Sequence, residues 1–147
     1  MKKILLILMS TLMLVNCKDD DDSKSESAQN KITYNGEEFP IIDFELLDDG
    51  ADIILTGIVN QEDNGFIIRF LSHDIENVEG NYTIKREDEI FNSNLHCHVV
   101  MNLPNTDMLI SAGNVSVNVD DNTIMLEFEF EGLGVSGSVK GYYKGSL

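Results

Sequence analysis

From residue 31 onward, apolar and polar side chains alternate along most of the chain. Val115, Val117 and Val119 are interleaved with Asn114, Ser116 and Asn118. After the turn signal Asp120-Asp121-Asn122, Ile124, Leu126, Phe128 and Phe130 alternate with Met125, Glu127, Glu129 and Glu131. A period of two places every second residue on the same face, as in a strand with one buried side. In the last run Val135, Val139 and Tyr143 fall on one face, and Ser136, Ser138, Lys140 and Tyr142 on the other.

The earlier part follows the same rule with more interruptions. Residues 31–34 and the run from Glu37 flank Asn35-Gly36, a pair that takes the positive φ angles of a two-residue hairpin turn. Pro40 lacks an amide hydrogen, so it predicts an edge or a bulge. The strand resumes over 41–47 and turns at Asp48-Asp49-Gly50. Residues 51–59 form the next strand, with a bulge expected at Gly57, and 61–65 turn into a strand over 66–71. Residues 72–79 are a loop or one helical turn, 80–84 return to strand, and 85–89 are a charged loop. A further strand covers 95–103 and ends at Pro104-Asn105. No stretch keeps a helical period. The fold class is therefore all-β, an antiparallel sandwich or a small flattened barrel of about 8–10 strands.

The first thirty residues follow another pattern. Lys2 and Lys3 precede a run over 4–15 that is apolar except for Ser10 and Thr11. A membrane-spanning helix needs about 20 apolar residues. This shorter run after a basic start predicts a secretion signal over 1–16, to be left out of the fold. The run ends in Leu14-Val15-Asn16-Cys17, followed by Lys18, Asp19, Asp20, Asp21 and Asp22. Residues 23–30 are polar with no apolar anchor, so 17–30 read as a flexible acidic tether and 31–147 as one domain.

Leu14 to Cys17 resembles the lipobox of bacterial lipoproteins, with Asn16 where that family usually has Gly, Ala or Ser. The resemblance implies cleavage before Cys17 and acylation of that residue. One chain gives only reversible membrane binding, whereas several hold a protein permanently. Lys18 and the four aspartates resemble the acidic export signal of Bacteroidota-type surface lipoproteins. That implies an outer-membrane anchor with the domain facing the cell exterior; the alternative is a plain spacer on a periplasm-facing protein. The ending GYYKGSL is similar to the closing Gly-x-Tyr-x-Gly-x-Leu strand of small β-rich lipoproteins in the same group. Many such domains have no assigned activity, so the likeness implies a fold type and a location and brings no catalytic residue.

Charge narrows the partners. Of 26 acidic side chains five lie in the tether, and of 10 basic ones four precede Lys31; the domain keeps 21 against 6, a formal −15. Nucleic acid is excluded, because affinity there comes from neutralising phosphates. Docking flat on an anionic lipid surface is disfavoured for the same reason. A basic protein, a glycan or an outer-membrane complex remains as partner, with the membrane reached through the lipid. If Cys17 is acylated, Cys97 has no disulfide partner.

Candidate chemistry is sparse. His96 and His98 share a strand face, and two imidazoles at that spacing can chelate a divalent metal if His73, Asp74 or a glutamate joins them. The alternative is two half-exposed histidines on a solvent face. Cys97, between them, points to the other face, with Leu95 and Val99. Glu127, Glu129 and Glu131 form a carboxylate row, a solvated face with Lys140 as cross-strand partner. Tyr142 is the best exposed aromatic for ligand binding, ahead of Tyr34 and Tyr82. Gly134-Val135-Ser136-Gly137-Ser138 lacks the last glycine of a nucleophile elbow, and neither a phosphate-binding Walker loop nor HExxH occurs. The sequence thus predicts a non-enzymatic binding or accessory module without a cofactor. The alternatives are a lipocalin-like barrel carrying a small apolar ligand and, behind it, a metal-binding protein using His96 and His98.

Overall fold

A computed structural model describes residues 30–62, 64–86, 89–106, 108–133 and 137–147. The signal, Cys17 and the acidic run Lys18 to Asp22 lie outside the described residues, as does Val135. Ten strands follow one another: β1 (Lys31–Tyr34), β2 (Glu37–Pro40), β3 (Asp43–Asp48), β4 (Asp52–Ile58), β5 (Gly65–Leu71), β6 (Gly80–Ile84), β7 (His96–Asn102), β8 (Leu109–Asp120), β9 (Thr123–Leu133) and β10 (Ser138–Ser146). They form one sheet in the order β2-β1-β10-β9-β8-β6-β7-β5-β4-β3. The all-β expectation holds.

The sheet curls into a half-barrel whose two edge strands, β2 and β3, are consecutive in the chain. At the corner the Ile41 amide donates to Asn30 O at 2.9 Å, extending the β1–β2 ladder. The next amide, of Ile42, donates to Ile58 O at 2.8 Å and begins the β3–β4 ladder. Pro40 sits at this hand-over, where no ladder amide is required of it. Backbone pairing thus passes from one edge to the other, and neither is left as a long open template. Asn30, assigned by composition to the tether, already belongs to the fold. Its side chain accepts from Lys144 N and donates to Lys144 O.

All neighbours are antiparallel except β6 and β7, where Thr83 lies beside His96 and Ile84 beside Cys97 in parallel. The intervening residues 85–95 supply the crossover that a parallel pair requires. The β1–β2 turn is as the sequence predicts, with Asn35 at φ 52° and Gly36 at φ 82°. Gly57 is not a bulge: it pairs in regular register with Phe44 and Phe66. The register shift lies between Ile110 and Ala112. Residues 72–79 make turns, with the Asp74 carboxylate accepting from the amides of Glu76 and Asn77.

Inward positions close on one core. Ile32, Ile53, Leu55, Ile68, Phe70, Leu126 and Phe130 are wholly buried. Phe66 and Phe128 meet edge to face across the interior, and Phe44 stacks on Tyr143 at 3.8 Å. One buried carboxylate serves the frame. Asp52 Oδ1 accepts the Ser72 amide, while Arg69 donates to Oδ2. The bond holds Ser72 at φ 59°, a conformation that is costly for a non-glycine residue.

Candidate functional site

The polar half of each alternating strand ends up on the outside, and register lines these residues up across the sheet. Asn81 of β6, Ser116 of β8, Glu127 of β9, Tyr142 of β10 and Lys31 of β1 form one cross-strand row. Thr83, Asn114, Glu129, Lys140 and Thr33 form a second, two residues further along. Between them runs an open groove of about 360 Å³, lined by Asn81, Asn114, Ser116, Glu127, Lys140 and Tyr142 among others. Its floor is the sheet backbone, with Val115, Phe128 and Gly141 beneath.

The second row is electrostatically closed. Lys140 Nζ lies 3.2 Å from Glu129 Oε1. That hydrogen bond, helped by Ser138, holds the Glu129 carboxyl below its ordinary range. Lys31, at the end of the first row, pairs with Glu38 of β2. The rest of the first row is uncommitted: among the described residues no hydrogen bond or ion pair engages the side chains of Asn81, Ser116, Glu127 or Tyr142. Asn114, in the second row, is likewise unengaged. These groups can accept and donate to a ligand without first breaking an internal bond. Tyr142 keeps its predicted place on an outer face. Tyr34 and Tyr82 do not. Tyr34 packs against the core, and Tyr82 is buried with its hydroxyl donating to Val78 O at 2.8 Å. Their strands present those positions inward.

His96 and His98 flank Phe91. The ring of Phe91 stacks on His98 at 4.6 Å and meets His96 edge-on at 5.6 Å. The Asn92 amide can only donate, so His96 Nδ1 accepts and the neutral ring carries its proton on Nε2. The Lys85 carbonyl can only accept, so His98 carries its proton on Nδ1. In its neutral form His98 is therefore the opposite tautomer to His96, and it is His98 that then presents a bare Nε2. Arg69, opposite His98 in register, is ion-paired with Asp52. His73 is buried against Phe70 and Tyr82 with Nδ1 on Leu71 O, and Asp74 caps its own loop. Neither joins the pair, and among the described residues no three His, Cys, Asp or Glu side chains are grouped to hold a metal.

Cys97 faces the core as expected, fully buried, and burial pushes its thiol up to about 12. Leu95, expected beside it, is exposed because the strand starts one residue later. Glu127, Glu129 and Glu131 are exposed on one face, with Lys140 across from Glu129 as predicted.

A second outer feature lies on the opposite side of the half-barrel. Ile54, Ile58, Ile67 and Val100 are outward on β4, β5 and β7. Gly65, lacking a side chain, leaves an apolar depression of about 270 Å³ between Ile58 and Asn102.

Sequence reasoning missed Asn81, Asn114 and Ser116. The two on β8 were within reach, since a turn at residues 121–122 fixes Ser116 opposite Glu127 and Asn114 opposite Glu129. Asn81 was not, because β6 joins β8 across a gap of more than twenty residues. Comparisons of the chain with protein-family profiles, with curated proteins and with solved structures give no match.

Proposed function

We propose that this chain is a lipid-anchored, surface-displayed binding module without catalytic activity, and that its ligand meets the outer face of β6, β8, β9 and β10. The observation that carries this reading is the groove in which Asn81, Ser116, Glu127 and Tyr142 stand side by side with no internal partner. Together they offer a ligand four groups that can bind it without the loss of an internal bond. The filled interior supports outer-face binding over carriage of an apolar ligand inside, because Phe66, Phe70 and Phe130 occupy the space that a carrier would keep open. A nucleophile role for Cys97 is opposed by its burial and raised pKa.

The anchor and the location rest on Cys17 and the run Lys18 to Asp22. Strong negative charge suits such a location, keeping neighbouring copies apart on a crowded surface. The test is protease added to intact cells of the source bacterium. The domain is cut along with known surface proteins if it is displayed outward. It survives until the outer membrane is opened if it faces the periplasm. A Cys17→Ala chain that stays in the membrane would overturn the anchor.

A further inference from the structure

We infer that the outer groove takes a neutral oligosaccharide, an inference that rests on the outer face being the binding face. The groove crosses four strands, and adjacent strands are about 4.8 Å apart, so it is about 14 Å long. That suits a short chain of rings better than a single small molecule. Tyr142, half-exposed between Glu127 and Lys31 in the first row, lines the groove as an aromatic contact for the C–H-rich side of a pyranose. The same groove carries a carboxylate, a hydroxyl and two amides. Asn81, Asn114 and Ser116 both donate and accept, and Glu127 accepts through two oxygens. Sugar hydroxyls also donate and accept, so a mixed set matches them where a set of one polarity does not.

The same residues argue against charged occupants. An anionic ligand meets a domain of formal charge −15, and the groove's own cation, Lys140, is already paired with Glu129. A cationic peptide finds only Glu127 unpaired. Nor can a peptide add to the sheet as a strand, because β8, β9 and β10 each have neighbours on both sides.

The test is an NMR titration of the full chain in detergent micelles. The probes are cellohexaose, xylohexaose, mannohexaose and chitohexaose, each to about 5 mM, the weak end of specific binding, with hexalysine as the charged control. The inference expects at least one hexasaccharide to move the amides around Asn114, Glu127 and Tyr142. Tyr142→Ala then weakens binding about tenfold, the scale of one lost aromatic contact, while Tyr142→Phe keeps it within about twofold. Tyr142 is on the outer face, and the spectrum of each variant reports its fold directly. Hexalysine alone moving these amides, with loss in Glu127→Gln, overturns the sugar and leaves the binding face standing. No movement there with any hexasaccharide, or binding indifferent to Tyr142→Ala, also overturns the sugar. Shifts confined to interior residues such as Phe70 and Phe130 overturn both readings.

Discussion

Phe66 of β5 and Phe128 of β9 meet edge to face with ring centroids 4.9 Å apart, although three strands separate β5 from β9 in the sheet. The contact spans the interior, and each ring also covers a glycine on the neighbouring strand. Phe66 lies over Gly57, and Phe128 over Gly141. A Cβ added to Gly141 would sit 1.9 Å from the Phe128 ring, and one added to Gly57 would sit 2.3 Å from the Phe66 ring. Both glycines serve as sockets for an aromatic ring.

Gly141→Ala should therefore destabilise the domain by about 1–3 kcal/mol, the usual cost of overpacking. Phe128→Ala should cost about 3–5 kcal/mol through the cavity it leaves. Urea unfolding of Gly141→Ala, of Phe128→Leu and of the two combined checks the socket. The combination should cost clearly less than the sum of its parts, because the smaller side chain vacates the space that the new methyl needs. Additive costs would show that the two residues do not share a space.

Asp52 gives a pH-dependent term. The Ser72 amide is the largest influence holding its carboxyl below the ordinary value of 3.8; Arg69 adds to it, and burial opposes it. A depressed folded pKa stabilises above the unfolded value and loses that contribution as pH falls below it towards the folded value. Asp52→Asn should lower stability at pH 7 by about 1–2 kcal/mol, the scale of hydrogen bonds to a charged acceptor discounted for the half-exposed Arg69. Between pH 4 and pH 2, on the scale of that ordinary value, the two chains should converge. Denaturation midpoints across this range would show it, and a constant gap would assign the loss to packing.

Cys97 should be silent to thiol reagents in the folded chain. Its thiol is buried and pushed up to about 12, so the reactive thiolate is scarce at neutral pH. With Cys17 acylated as proposed, the mature chain should show no thiol reactive to a disulfide reagent when native and one when unfolded in denaturant. Two thiols on unfolding would mean that Cys17 is unmodified.

The elements that the sequence made legible are those set by local chemistry. Asn35-Gly36 demanded a positive-φ turn and received one, and the alternation over 123–130 sorted Ile124, Leu126, Phe128 and Phe130 inward. Tyr142 was assigned to an outer face by the same parity. What local chemistry does not encode is which strand lies beside which. That is why the parallel β6–β7 pair, the hand-over at Ile41 and Ile42, and the place of Asn81 in the groove emerge only from the structure. Gly57 misled because a glycine inside a strand signals either a bulge or a close approach, and here the close approach is the Phe66 ring. Tyr82 misled because a phenol is at home on the inner face when its hydroxyl finds a partner, here Val78 O, and Tyr34 because its ring packs partly buried against the core.

The measurement that tests the account most directly is native mass spectrometry of the full chain, released gently from the source membrane. The mass should be that of a mature chain that begins at Cys17, carries acyl chains and holds no apolar molecule. An unmodified Cys17 with residues 1–16 still attached would contradict the anchor. A bound apolar ligand, lost when the chain unfolds, would contradict the outer face as the site of binding and place the function inside the half-barrel.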